Sequence, residues 1–349
     1  MDRRHVLCGS AAAGLLAALA SLEKLLGAAL PAQALGRLAD DRHPVDGGLV
    51  ALYESTADAA FRAFADPTVH RDGLLAVVAH QAAAARAALR GPMTPDLRAR
   101  LYAVAVGLHT EGGMLAFYQR ELGVADELFT LARGLAADSG DDALQAQALW
   151  AAAITFNSTQ FGGQRRDLDA LARIRAENAA VHAVNADPHT RGEVLRVLST
   201  ARARARDGHG FQVALEGARV AAERVDGSEA GFLALSGHLR PALLHASAGW
   251  GHLLAQRTDE ARGEFRTVLA HPGCHECPQM RADMARTWAL DGQPEPACAD
   301  LAGALDSATA PSDRMGVQRI RGVRGGFPPE WSLLACVRDL DERLTLTRI

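Results

Sequence analysis

The densest group of chemically active side chains lies in the run His271-Pro272-Gly273-Cys274-His275-Glu276-Cys277-Pro278. Zinc prefers thiolate and imidazole ligands, so this run predicts a candidate metal site made of His271, Cys274, His275 and Cys277. The two thiols could instead form a redox-active or structural disulfide. A loop between two helices that binds nothing is the third interpretation.

The remaining cysteines argue against a zinc site. Such a site normally takes its ligands from two separated pairs, and Cys8, Cys298 and Cys336 each stand alone in the sequence. We therefore expect no cofactor, with zinc as the alternative. A second candidate for chemistry is the pair His245 and His252, seven residues apart on one helical pattern, which could face a groove together as an acid–base pair. The sequence places no carboxylate partner beside them.

Other catalytic signatures are missing. The sequence contains no Gly-rich phosphate loop, no His-Glu-x-x-His and no Gly-x-Ser-x-Gly. Two arginine-rich runs, Arg202 to Arg206 and Arg314 to Arg324, are interpreted as solvated helix faces, although the second could hold an anion. The net charge of −4 gives no general attraction to nucleic acid or to an anionic membrane.

The pattern of apolar residues predicts helices throughout. Aromatic residues make up only 5% of the chain, and Ala, Leu and Arg dominate its composition. Between Gly237 and Pro272, apolar and small residues recur three and four apart in two runs separated by Gln256 to Asp259. The spacing of Gly249, Ala261 and Phe265 is that of the small, small and bulky packing residues of a tetratricopeptide (TPR) unit.

The same offsets occur elsewhere, at Gly113, Ala125 and Phe129 and, more weakly, in other helix pairs. The sequence therefore predicts an all-α fold, a TPR-like solenoid of antiparallel helix pairs with a right-handed superhelix. We divide it into residues 1–34, an Ala/Leu-rich helix; residues 35–310, degenerate repeats; and residues 311–349, C-terminal capping helices. Because Arg3-Arg4 precedes an apolar run, residues 1–34 could also be a twin-arginine export signal.

Three features together carry a family resemblance: Arg3-Arg4 before a Leu/Ala-rich stretch, irregular helix pairs, and the ending RIRGVRGGFPP…VRDLDERL over residues 319–344. In these features the chain resembles the C-terminal sensory region of actinobacterial XRE-type (helix-turn-helix) transcriptional regulators. In that family a DNA-binding domain normally precedes this region, and here it does not. The resemblance therefore implies a sensor without direct nucleic-acid binding.

In TPR proteins the first helix of each pair lines a concave groove, and the repeat register carries that role over to particular residues of this chain. They are Met114, Phe117, Tyr118, Trp150, Asn157, Gln160, Phe161, Arg196, Ser199, Arg206, Trp250 and Arg286. Amides can clamp a peptide backbone, arginines can hold a carboxylate in a bidentate pair, and aromatic rings supply apolar area. The alternative is that the aromatic residues are simply core between repeats.

These observations favour a cytoplasmic binding or regulatory module rather than an enzyme. Its expected partner is a peptide, a small-molecule signal or another protein, with no membrane association, and a homodimer stays open. The alternatives are a metal-dependent or acid–base enzyme of specialised metabolism and a scaffold exported by the twin-arginine route. Any such regulation would concern development or specialised metabolism.

Overall fold

A computed structural model describes residues 45–65, 71–158, 166–225, 241–271, 278–309 and 313–347. Residues 1–34, with their alternative roles as a helix or an export signal, lie outside the described part. Over the described residues the chain forms α-helices and two short 3-10 turns and no strand, which confirms the all-α prediction. None of these helices is long and apolar enough to cross a bilayer.

Fourteen α-helices occupy the described residues. They are α1 (Gly47–Ala65), α2 (Arg71–Ala88), α3 (Pro95–Tyr118), α4 (Leu122–Ser139), α5 (Asp142–Ser158), α6 (Arg166–His182), α7 (Pro188–Arg204), α8 (Gly208–Ala222), α9 (Pro241–Leu254), α10 (Thr258–Ala270), α11 (Pro278–Leu290), α12 (Pro294–Thr309), α13 (Arg314–Gly325) and α14 (Ala335–Leu346).

Several helices begin where the sequence supplies a cap. The side chain of Thr94 accepts a hydrogen bond from the Leu97 amide, and Pro95 takes the first helical position of α3, where its missing N–H costs nothing. Asp187 does the same for α7 by accepting from the Thr190 amide at 2.9 Å. Because these caps satisfy otherwise unpaired donors, they fix the start of each helix.

One turn geometry recurs between the helices of four pairs. Arg120, Arg206, Gln256 and Gly292 all have positive φ, between 58° and 73°. In each case the next residue donates its amide hydrogen to the carbonyl five positions back, for example Glu121 to Ala116 and Gln293 to Trp288. This is the left-handed helix ending that glycine favours. Three of the four positions carry a side chain there, so the sequence alone did not mark them.

Packing within two of the pairs depends on the small residues that the sequence singled out. A Cβ added to Gly113 would lie 2.7 Å from the ring of Phe129, and one added to Gly249 would lie 2.6 Å from the ring of Phe265. Both phenylalanines are buried. The predicted packing partners are therefore in contact, and the two helices approach so closely that only glycine fits.

Successive pairs contact one another in a regular order. The first helices pack side by side, α3 on α5, α5 on α7 and α7 on α9, while each second helix packs on the first helix of the next pair. The C-terminal helices differ from each other. Helix α14 packs on α12, but α13 also contacts α3, about two hundred residues earlier in the chain. Met315 of α13 joins the same core as Phe117 and Trp150.

The Gly–Phe contact gives the first prediction. Replacing Gly249 by alanine puts a methyl group against the buried ring of Phe265, so we expect the free energy of unfolding to fall by about 1–3 kcal/mol. The matched control is Gly263→Ala on α10, where a Cβ meets no atom within 4 Å. Because Gly263 is exposed inside a helix, alanine there should raise stability by about 0.5–1 kcal/mol. Urea unfolding curves measure both, and equal effects would contradict the close approach.

Candidate functional site

Helices α3, α7, α9 and α11 meet α13 at a cluster of charged and aromatic side chains. We call this the Asp283 cluster, and we define it as Tyr118 of α3, Arg204 of α7, Trp250 of α9, Asp283 and Arg286 of α11, and Arg319 of α13. Two of these residues, Asp283 and Arg319, are almost completely buried. The cluster therefore joins elements that are far apart in the sequence.

Asp283 is held by two partners. Arg319 donates from Nε to Oδ1 at 3.0 Å and from Nη2 to Oδ2, so the pair is bidentate. The indole Nε1 of Trp250 donates to the same Oδ2 at 2.5 Å. The guanidinium carbon of Arg319 also lies 5.2 Å from the centroid of the Trp250 ring, within cation–π range. The side chains of Asp283 and Arg319 are 1% and 4% exposed, so water does not compete for these contacts.

Burial and neighbouring charges set the protonation of the arginines. Burial lowers the pKa of Arg319, Asp283 raises it, and the positive charge of Arg286 lowers it further. Burial likewise lowers the pKa of Arg204 to about 10, against the favourable charge of Asp169, which lies 3.5 Å away. Arg204 remains cationic near neutral pH because its lowered pKa of about 10 stays well above 7.

The cluster and Asp169 therefore bring together three arginines and two aspartates, an excess of positive charge. Arg319 pairs with Asp283 and Arg204 lies beside Asp169, while Arg286 is exposed on α11. Its charge is close enough to lower the pKa of Arg319. Arg286 is thus the cation of the cluster that solvent reaches most readily.

A second polar group lies on the facing helices α3 and α5. Glu111, Gln147 and Trp150 are all at least nine-tenths buried. Five polar atoms of these side chains have no hydrogen-bond partner among the described residues. They are both carboxylate oxygens of Glu111, both amide atoms of Gln147 and the indole Nε1 of Trp150. Burial raises the pKa of Glu111 well above its ordinary value of 4.5, since a charged carboxylate would be unsolvated there.

The groove residues predicted from the repeat register fall into several environments. Tyr118, Trp250 and Arg286 belong to the Asp283 cluster. Met114 and Tyr118 are half-buried and pack on the core that contains Phe117 and Trp150. Phe117 is 1% exposed and Trp150 is 8% exposed, so both lie in the core between helices rather than on an open wall.

Three other predicted groove residues have local roles. Arg196 is buried and donates from Nε and Nη2 to Glu193, at 3.1 and 2.7 Å. Ser199 is fully buried and donates to the carbonyl of Arg196 at 2.7 Å. Arg206 is exposed at the positive-φ turn between α7 and α8, because the tight turn removes it from the helix face on which the register placed it. The side chain of Asn157, and all of Gln160 and Phe161, lie outside the described residues.

The predicted metal site is only partly within the described chain. His271 follows the end of α10 and is half-buried, whereas Cys274, His275 and Cys277 lie outside the described residues. Across the described ranges no group of three or more His, Cys, Asp or Glu side chains is arranged to hold a metal ion. The zinc alternative therefore stays a prediction from the sequence.

The histidine pair on α9 has a carboxylate partner that the sequence did not place. The Nδ1 atom of His245 lies 2.6 Å from Oε2 of Glu264 on α10, and the charge of Glu264 also reaches His252. Burial is the main cause that lowers the pKa of His252. His245 thus faces the second helix of its own pair, and the Glu264 carboxylate acts on both histidines.

Sequence reasoning missed the buried members of the Asp283 cluster. The arginine run of α13 was interpreted as a solvated face, but Arg319 is 3% exposed and Arg324 forms a bidentate pair with Asp341. The one indication in the sequence is the alternative interpretation that this run could hold an anion. In the structure the anions bound by the run are carboxylates of the same chain. A pairing across more than thirty residues leaves no local pattern to detect.

Comparison with known proteins adds no identity: no protein-family model matches the chain, and no curated protein matches it significantly.

The buried ion pair gives the second prediction. Arg319→Met should leave Asp283 buried without its cation and lower the free energy of unfolding by about 3–5 kcal/mol. The double variant Asp283→Leu/Arg319→Met should lose much less than the sum of the single variants, because no uncompensated charge remains. The control is Arg343→Met, whose pair with Asp306 is exposed and should matter by about 0–1 kcal/mol. Chemical denaturation measures the unfolding free energies. If the losses of the two single variants simply added up in the double variant, that would contradict a desolvated pair.

Glu111 gives a prediction about pH. Its folded pKa is raised, so the folded chain binds a proton that the unfolded chain releases as the pH rises above about 4.5. Above pH 4.5 this difference lowers the free energy of unfolding progressively, until the pH reaches the raised pKa of Glu111. Glu111→Gln should therefore be more stable than the parent at pH 7, with the gap closing toward pH 4. Glu127→Gln, an exposed change on α4, should show no such gap. A pH-independent difference in unfolding free energy would refute the burial argument.

Proposed function

We propose that this chain is a TPR-like regulatory module whose inner face binds a carboxylate-bearing ligand, either a peptide or a small-molecule signal. The observation that carries the proposal is the exposed Arg286 beside the buried contacts of Asp283, Arg319 and Trp250. A guanidinium recognises a carboxylate bidentately, and a nearby indole supplies apolar area for the rest of a ligand.

The scaffold part of the proposal rests on repetition. Four helix pairs share one left-handed turn with the same hydrogen bond, and two pairs share the Gly–Phe contact. First helices pack on first helices in sequence order. These features support a solenoid of degenerate repeats with a right-handed superhelix, in which α3, α5, α7, α9 and α11 form the inner side. Regular stacking of this kind favours binding over catalysis.

The inner side also carries the charge that a ligand of this class needs. The cluster and Asp169 hold one more arginine than aspartate, and Asp283 is already occupied by Arg319 and Trp250. A carboxylate at Arg286 would balance the excess charge. It would also alter the field at Arg319, because the charge of Arg286 acts on that residue.

Regulation would follow from the position of α13. This helix is held on the inner side by the Arg319–Asp283 pair and by Met315, so a ligand that binds better to one arrangement of α13 shifts its population. The shifted surface would then change affinity for a partner protein. Together with the resemblance to sensory regions of XRE-type regulators, this supports a cytoplasmic sensor.

The fourth prediction tests this function. Native mass spectrometry of the protein purified from its own host should show a small organic adduct or a peptide on the intact chain. Arg286→Ala should lose that adduct, because the cation that holds the carboxylate is removed, whereas Arg338→Ala, an exposed arginine of α14, should keep it. Retention of the adduct by Arg286→Ala, or a parent protein that carries none, would overturn the proposed site.

A further inference from the structure

Two cysteines that are isolated in the sequence are neighbours in the fold. Cys298 lies on α12 and Cys336 lies on α14, and both are free thiols. Their side chains are close enough to act on each other, and they share the core cluster formed by α11 to α14. The helices that carry them pack directly together. The separation of 38 positions along the chain hid this contact, because the sequence pattern shows no pair.

The two thiols differ in exposure. Cys298 is 4% exposed, whereas Cys336 is half-buried and reachable from solvent. Burial, and then the neighbouring Cys336, raises the pKa of Cys298 to about 12, which keeps it a thiol. A reagent from solution would therefore meet Cys336 first.

A cation lies beside the pair. The positive charge of Arg324 on α13 acts on Cys298 in the direction that favours a thiolate, and Glu295 opposes it. Arg324 is itself fixed by a bidentate pair with Asp341 of α14, with both contacts at 2.7 Å. Helices α12, α13 and α14 thus converge at the two thiols.

We propose that Cys298 and Cys336 form a reversible disulfide by thiol–disulfide exchange with a small-molecule disulfide. The Cys336 thiolate attacks one sulfur of the reagent, forms a mixed disulfide and releases one reagent thiolate. Cys298 then loses its proton to that thiolate or to water and attacks the Sγ atom of Cys336. This second step forms the Cys298–Cys336 bond and releases the other half of the reagent, so the reagent is reduced to two thiols and the protein is oxidised by two electrons.

The disulfide would restrict the movements of α13. Residues 298 to 336 enclose the whole of α13, including Arg319, so the new bond closes a covalent loop around the helix that lies on the inner side. Closing this loop restricts departures of α13 from the Asp283 cluster. Oxidation is then expected to hold the C-terminal helices in the arrangement described above, and reduction to release that restraint. This inference stands independently of the proposed ligand.

The test uses the intact chain, first reduced and then incubated with oxidised glutathione. Peptide mapping by mass spectrometry should recover one cross-linked species containing Cys298 and Cys336, about 2 Da lighter than its reduced parts. The melting temperature should rise by several degrees on oxidation and fall again on reduction. Hydrogen exchange of the α13 amides should slow in parallel.

Two variants keep the result interpretable. Cys336→Ser should abolish the cross-link and the rise in melting temperature. Cys274→Ser/Cys277→Ser should keep both, since those cysteines are outside the proposed pair. A chain that stops at glutathione attached to Cys336, or that keeps both thiols free at every ratio of oxidised to reduced glutathione, would overturn the proposal. So would a cross-link that leaves the exchange of α13 unchanged, because the restraint would then be missing.

Discussion

The buried contact between Asp283 and Arg319 constrains how helices α9, α11 and α13 pack together. Taking an aspartate and an arginine out of water is costly, and the cost is offset only when their geometry is good and other polar atoms are satisfied. The bidentate pair and the hydrogen bond from Trp250 meet that condition. Consequently α9, α11 and α13 can occupy only a narrow range of relative positions.

That constraint acts on a scaffold stabilised in a different way. Within each pair the helices are held by apolar contacts at close range, of which Gly113 on Phe129 and Gly249 on Phe265 are the tightest. Such contacts depend on shape rather than direction, so they fix the distance between helices but leave their function undetermined. The polar contacts add direction, because a carboxylate accepts hydrogen bonds only from donors placed around its oxygens.

Two kinds of polar group occur on helices α3, α5 and α11. Glu111, Gln147 and the indole nitrogen of Trp150 are buried without hydrogen-bond partners in the described part of the chain, and each costs free energy that the packing must supply. Arg286 of α11, in contrast, stays exposed while its charge acts on the buried Arg319. Arg319 belongs to α13, and Arg324 of the same helix acts on the thiol of Cys298, so α13 has contacts with both groups of residues.

The sequence by itself determined the all-α class and the Gly–Phe partners, since these depend on residues three or four apart or within one pair. The repeat register also selected Trp250 and Arg286, which lie on α9 and α11. The repeat register misplaced Arg206, which lies in a tight left-handed turn. Such a turn is not recognisable from composition when a residue other than glycine occupies it.

Only the tertiary structure decided that Arg319 pairs with Asp283, that Glu264 faces His245, and that Cys298 meets Cys336. Each of these contacts joins two different helices and requires only one suitable residue on each of them. No periodic pattern records such a pairing. Its free energy depends on burial, which exists only after the helices have packed.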